Sequence, residues 1–188
     1  MIKLHDGNMI GRVCAAFLLW AAAAIVLPAQ TAPGVLRAPA TAIAPALTFT
    51  LLHSFDYTDG STPVAGLVQG TDGRFYGTTS LGGANSCFGD SCGTVFRVTP
   101  GGTLTTLHSF DSAGGYEPAA GLVLAIDGNF YGTTEYGGAN GCFDGSCGTV
   151  FRITPGGTLT TLHSFDETDG SYPYAGLVLV YCPTNKWQ

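Results

Sequence analysis

Three residue types recur at fixed spacing in this chain and could carry chemistry. Cysteines form two matched pairs, Cys87-x4-Cys92 (CFGDSC) and Cys142-x4-Cys147 (CFDGSC). Histidines His53, His108 and His163 each lie inside the tetrapeptide LHSF. Acids follow them in Asp56-Tyr-Thr-Asp59-Gly60, Asp111-Ser-Ala-Gly-Gly and Asp166-Glu-Thr-Asp169-Gly170. In an oxidising compartment such Cys pairs read as disulfides, each closing so short a loop that it contributes about 2 kcal/mol. The alternative is one four-thiolate zinc site taking a pair from each copy. Paired carboxylates in a turn are what a calcium loop uses, but Asp is also the ordinary residue of an Asx-turn leaving a strand. The middle copy keeps Asp111 and loses the second acid, which favours turn chemistry.

A histidine present once per copy is expected to pack or to hydrogen bond between copies; a catalytic histidine would be unique to one. Ser54, Ser109 and Ser164 follow the histidines directly and so face the other way along a strand. His-Ser is therefore no nucleophile–base pair. Neither a G-x-S-x-G elbow nor an H-E-x-x-H helix is present. We assign no catalytic residue, no cofactor and no metal, with calcium at the acidic turns and zinc at the cysteines the alternatives.

These residues are carried by a repeat. Thr103–Gly157 repeats 48–102 at roughly two-thirds identity without insertion or deletion, and a third copy runs over 158–179. Within a copy, the Asp127-Gly128 turn separates GLVLAI from NFYGTT, and Pro155-Gly156-Gly157 separates GTVFRIT from TLTTLHSF. Four strands follow: Gly121–Ile126, Asn129–Thr134, Gly148–Thr154 and Thr158–Phe165. The expected fold is all-β, with tandem four-stranded antiparallel meanders resembling β-propeller blades. Two blades are complete (66–110 and 121–165), flanked by strands Thr48–Phe55 and Gly176–Val180, so the propeller is incomplete or open.

The string LHSF…P.AGLV…DG.FYGTT..GGAN…GTVFR.TPGGTL resembles the GloVer tandem repeat of exported bacterial proteins with varied surface anchors. The resemblance covers nearly all of 48–179. It implies an extracellular or surface-associated repeat protein, propeller-like and without an established activity.

Composition agrees with export. Charged residues are only 11% and glycines number 28, a turn-rich β composition. Val13–Leu27 is an apolar run preceded by Arg12 and followed by small residues, so residues 1–31 read as a signal peptide; the run is short for a membrane span, and an uncleaved anchor is the alternative. Residues 32–47 are an Ala/Pro-rich linker. The repeat region is 48–180. At 181–188 the pattern breaks off in an aberrant tail, which suggests truncation, with a terminal cap as the alternative. Without its first 30 residues the chain has 5 basic and 12 acidic residues, a formal charge of −7, which argues against nucleic acid.

The meander brings the links between blades and the Cys-stapled loops to one face, where binding usually resides. The candidate ligand residues there are Asp56, Asp59, Asn85, Asp90, Asp111, Asn140, Asp144, Asp166 and Asp169. The expected function is a secreted or cell-surface, non-enzymatic scaffold or binding module for a glycan or surface protein. Further blades or self-association are compatible with it, and no membrane span remains after signal cleavage. The alternative is a fragment of a propeller hydrolase or lyase whose catalytic blades are missing. A thiol count on denatured, unreduced protein tests the cysteine assignment. None of Cys87, Cys92, Cys142 and Cys147 should react, and four free thiols would overturn it.

Overall fold

Strand formation follows the turn chemistry. A computed structural model of the chain describes residues 48–87, 90–140, 142 and 147–180, with only the backbone of Asp90. The signal, linker and tail segments, Cys182 and Asp144 lie outside the described residues. Beyond Leu51 the chain forms one compact unit, whereas 48–50 are exposed and without regular structure.

Strands β1 (Val68–Gln69), β2 (Phe75–Thr79), β5 (Thr94–Val98) and β6 (Leu104–Ser109) form one antiparallel sheet in the order β1-β2-β5-β6. Strands β7 (Val123–Leu124), β8 (Phe130–Thr134), β9 (Thr149–Ile153) and β10 (Leu159–Ser164) form its counterpart. The small hairpin β3 (Ser86–Cys87) and β4 (Asp90–Ser91) stands in the loop between β2 and β5. Each sheet is the expected meander, and the register repeats: Tyr76 faces Arg97 as Tyr131 faces Arg152. A β-bulge at Leu107 and again at Leu162 offsets the outer strand by one residue. No helix among the described residues is long and apolar enough to cross a membrane.

Two expectations need correction. Thr48–Phe55 and Gly176–Val180 are not strands. Each has strand-forming residues, but a strand exists only through its ladder, and no neighbouring segment among the described residues supplies one. The first strand of each sheet is likewise only two residues long, against the six expected.

The sheets pack through aromatic rings. Tyr76 stacks on Phe130 with centroids 4.1 Å apart, and Phe110 meets Phe151 edge-on at 5.2 Å. Phe55 meets Phe96 at 5.1 Å in the same way. The phenylalanine that ends each of the first two LHSF segments thus caps the GTVF strand of the following sheet. Threonines add polar ties: Thr78 Oγ1 donates to the Ala120 carbonyl (3.2 Å) and Thr133 Oγ1 to that of Ala175 (3.4 Å). Among the described residues no buried side-chain nitrogen or oxygen lacks a partner.

Phe110 is fully buried at this junction, and Phe110→Ala should cost about 3–5 kcal/mol. Denaturant unfolding of wild type and variant measures it. A loss under 1 kcal/mol would mean that the two sheets do not depend on this contact.

Candidate functional site

At one end of each sheet, the preceding link folds back onto the loop between the second and third long strands. Ser61 and Leu81 exchange backbone hydrogen bonds, as do Tyr116 and Tyr136. Glycine permits the approach. Gly82 and Gly137 have φ of +81° and +80°, and a Cβ there would lie 2.6 Å from Gly60 Cα and 2.7 Å from Gly115 Cα. Hydroxyls close the joint: Thr79 and Thr94 share a bond of 2.8 Å, and Thr94 Oγ1 donates to the Asp59 carbonyl. Thr134, Thr149 and the Gly114 carbonyl repeat the arrangement. Cys87–Cys92 and Cys142–Cys147 are disulfides with Cα atoms 5.3 and 5.8 Å apart. Glu117 N donates to the Cys92 carbonyl and Tyr172 N to that of Cys147. Each bridge therefore anchors the link that begins the next repeat.

The acids proposed from sequence divide into two groups. Asp56 Oδ1 accepts from the Thr58 amide and hydroxyl and from Asp59 N, and Asp166 Oδ1 from the Thr168 amide and hydroxyl. The threonine hydroxyl and the turn amides hold both carboxyls below the usual Asp range. Asp111 Oδ1 caps Gly114 N. Asp59 and Asp169 do something else: each Oδ2 lies 2.6 Å from the Nε2 of His53 or His163, with Oδ1 capping Asp56 N or Asp166 N. Asn85 Nδ2 donates to the Ser109 and Phe110 carbonyls and Asn140 Nδ2 to that of Ser164. Both asparagines tie their loop to the outer strand. Asp90 lies in β4.

The His–Asp pairs were missed from sequence, although the signal was present: an acid six residues after the histidine in copies one and three. In the middle copy Gly114 occupies that position. His108 stacks edge-on against Phe110 at 5.1 Å, and burial lowers its pKa below the ordinary imidazole value, partly offset by Asp111.

A second group was missed altogether. Tyr116, Glu117, Glu135 and Tyr136 replace Ser61, Thr62, Ser80 and Leu81 of the first copy, and Tyr172 and Tyr174 enter from the third. Tyr116 and Tyr136 stack at 5.4 Å and 17°, and Tyr172 meets Tyr136 edge-on at 5.4 Å. Glu135 is 8% exposed and accepts hydrogen bonds from the Tyr136 and Tyr174 hydroxyls, which, with burial and the Glu117 charge, raise both phenol pKa values. Glu117 and Tyr172 adopt φ of 54° and 50°, left-handed values that cost non-glycine residues on the order of 1–3 kcal/mol each. Subtracting one copy from the next finds this cluster. Reading only what the copies share does not.

Three groups of acids thus share the loop end, whereas all three described arginines lie towards the other. Arg74 pairs with Asp72 at 2.9 Å in the tight turn, and Arg97 and Arg152 stand opposite Tyr76 and Tyr131.

His108 carries a pH prediction. Its folded pKa lies below that of the unfolded chain (about 6.5), so protonation favours unfolding and stability falls as pH drops below that value. Gly114→Asp restores the missing carboxylate at a position of ordinary φ. The variant should raise the His108 pKa by NMR titration and shrink the fall in denaturation midpoint between about pH 7.5 and 5.5. An unmoved His108 titration would refute the assignment.

No curated protein matches the chain. A model described as the Gloeobacter/Verrucomicrobia repeat matches residues 41–182, which takes in both sheets, both disulfides, the His–Asp pairs and the tyrosine cluster. With the repeated register and the matched string in agreement, the chain belongs to the Gloeobacter/Verrucomicrobia (GloVer) repeat family.

Proposed function

We propose that this chain is an exported, non-enzymatic repeat module whose loop end binds a partner at the cell surface, a glycan or a surface protein. The observation that carries the reading is convergence. Links, stapled loops, His–Asp pairs and the tyrosine–glutamate cluster share one end of two sheets and are bonded to one another there. Rigid loops on a β scaffold lose little entropy on binding. The disulfides are consistent with an oxidising, extracellular setting. Export rests on the apolar segment at 13–27.

The two sheets are read as consecutive blades of a propeller. Stacking of Tyr76 on Phe130 and the approach of Gly121 to the Gly66 carbonyl support this. So does the repetition of that approach between Gly176 and Gly121.

One observation favours a second reading, a fragment of a propeller hydrolase or lyase. Glu117 and Glu135 are acids unique to one repeat, and their backbones are joined directly, Glu135 N to Glu117 O at 3.1 Å. Acid pairs serve glycoside cleavage. The non-enzymatic reading is preferred because phenol hydroxyls already occupy the Glu135 carboxylate.

A printed array of surface glycans and surface-protein peptides, with a parallel reducing-sugar assay, tests the proposal. Tyr57→Ala with Glu167→Ala at the loop end should weaken binding by about tenfold, or 1.4 kcal/mol. Arg74→Ala at the far end should leave binding within about twofold. Equal loss from both ends would overturn the loop-end assignment, and sugar release that depends on Glu135 would install the enzymatic reading.

A further inference from the structure

We propose that the tyrosine–glutamate cluster of the second repeat is a site for an organic cation, the alkylammonium group that a lysine side chain or a small quaternary amine presents. The inference rests on the loop-end reading and names the chemistry of one ligand there. It begins with Glu135. The carboxylate of a glutamate only 8% exposed is ordinarily matched by a cation or coordinates one. The ion pairs among the described residues are His53–Asp59, Arg74–Asp72 and His163–Asp169, and none involves Glu135. Hydrogen bonding from the Tyr136 and Tyr174 phenols engages it but brings no opposite charge.

The surroundings suit a cation. Tyr116, Tyr136 and Tyr172 form a corner of two parallel rings and one edge-on ring. Tyr174, 62% exposed, adds a fourth ring from the third copy, hydrogen bonded to Glu135. Aromatic faces attract ammonium groups, and the attraction grows where water is excluded. The Glu117 charge also reaches the Tyr136 and Tyr174 phenols. Every described arginine belongs to the other end of the sheets, so no side chain of the array competes. The first repeat is an internal control, since Ser61, Thr62, Ser80 and Leu81 replace the first four cluster residues there.

The test uses the full chain with its disulfides intact and follows tyrosine fluorescence. Tetramethylammonium chloride, matched against sodium chloride of equal ionic strength, should give a saturable change with Kd on the order of 1–10 mM. Glu135→Gln should weaken it by about tenfold, and the exposed Tyr174→Ala by roughly threefold to tenfold. The second variant keeps the test decisive if the buried one does not fold. Arg74→Ala, in the tight turn at the far end, should change nothing. A lysine-rich peptide that binds more tightly than tetramethylammonium identifies a protein as the source of the cation, and the reverse order a small amine; both orders support the site. No saturation beyond sodium chloride would overturn it, as would saturation indifferent to both variants, or binding of a neutral oligosaccharide in place of the ammonium. If these fail while loop-end binding on the array persists, only the cation assignment falls.

Discussion

Backbone carbonyls that no ladder pairs set the terms for this fold. Every link between repeats leaves the sheet and turns back over its end, and a buried carbonyl left unsatisfied there costs about 1–3 kcal/mol. The chain answers with threonine. In each FYGTT strand the first threonine reaches forward to the next repeat, through Thr78 to Ala120 and Thr133 to Ala175. The second pairs with the first residue of the GTVF strand, whose hydroxyl reaches the Asp59 or Gly114 carbonyl. The disulfide-closed loops complete the set by accepting from Glu117 N and Tyr172 N. Loop shape, link position and repeat spacing therefore follow from one requirement, and the abundance of threonine is its sequence trace.

That requirement also accounts for rigidity at the loop end. Left-handed backbone recurs in register at Thr62, Glu117 and Tyr172, and again at Tyr57 and Glu167. Such conformations persist where the surroundings over-determine them, and here the Glu117 and Tyr172 amides and the Tyr57, Thr62 and Glu117 carbonyls are bonded to neighbouring loops. At Thr62, Glu117 and Tyr172 the identity varies between copies while the conformation does not; at the second set the middle copy's Ser112 departs from it. The scaffold thus holds a set of side-chain positions that can change without disturbing the bonds beneath them.

Much of this was legible because local chemistry decides it. D-G and P-G-G turns between β-forming runs fix four strands per copy, and a four-residue spacing fixes which cysteines can close. Reading failed where a neighbour decides. Thr48–Phe55 and Gly176–Val180 have strand composition but no ladder. Asn85 and Asn140 look like ligand donors, yet their amides hold the outer strand, a contact 24 residues away in sequence. The His–Asp pairs depend on a turn returning Asp59 and Asp169 to the strand they follow. The tyrosine cluster draws on two links and one loop, so no single window of sequence contains it.

The middle repeat shows what the arrangement trades. Repeats one and three pair their histidine with a carboxylate, whereas His108 is left half-buried with only the more distant Asp111 charge. Its link has Gly114 where the others have Asp, and the same link carries Tyr116 and Glu117, which build the cluster with Glu135 and Tyr136. A repeat that needed only to fold would keep the pair its neighbours keep. Functional positions are where local consistency is usually given up. The lost aspartate and the gained Tyr116 and Glu117 lie within three residues of one another, so both departures belong to a single link, the one from which the proposed site is built.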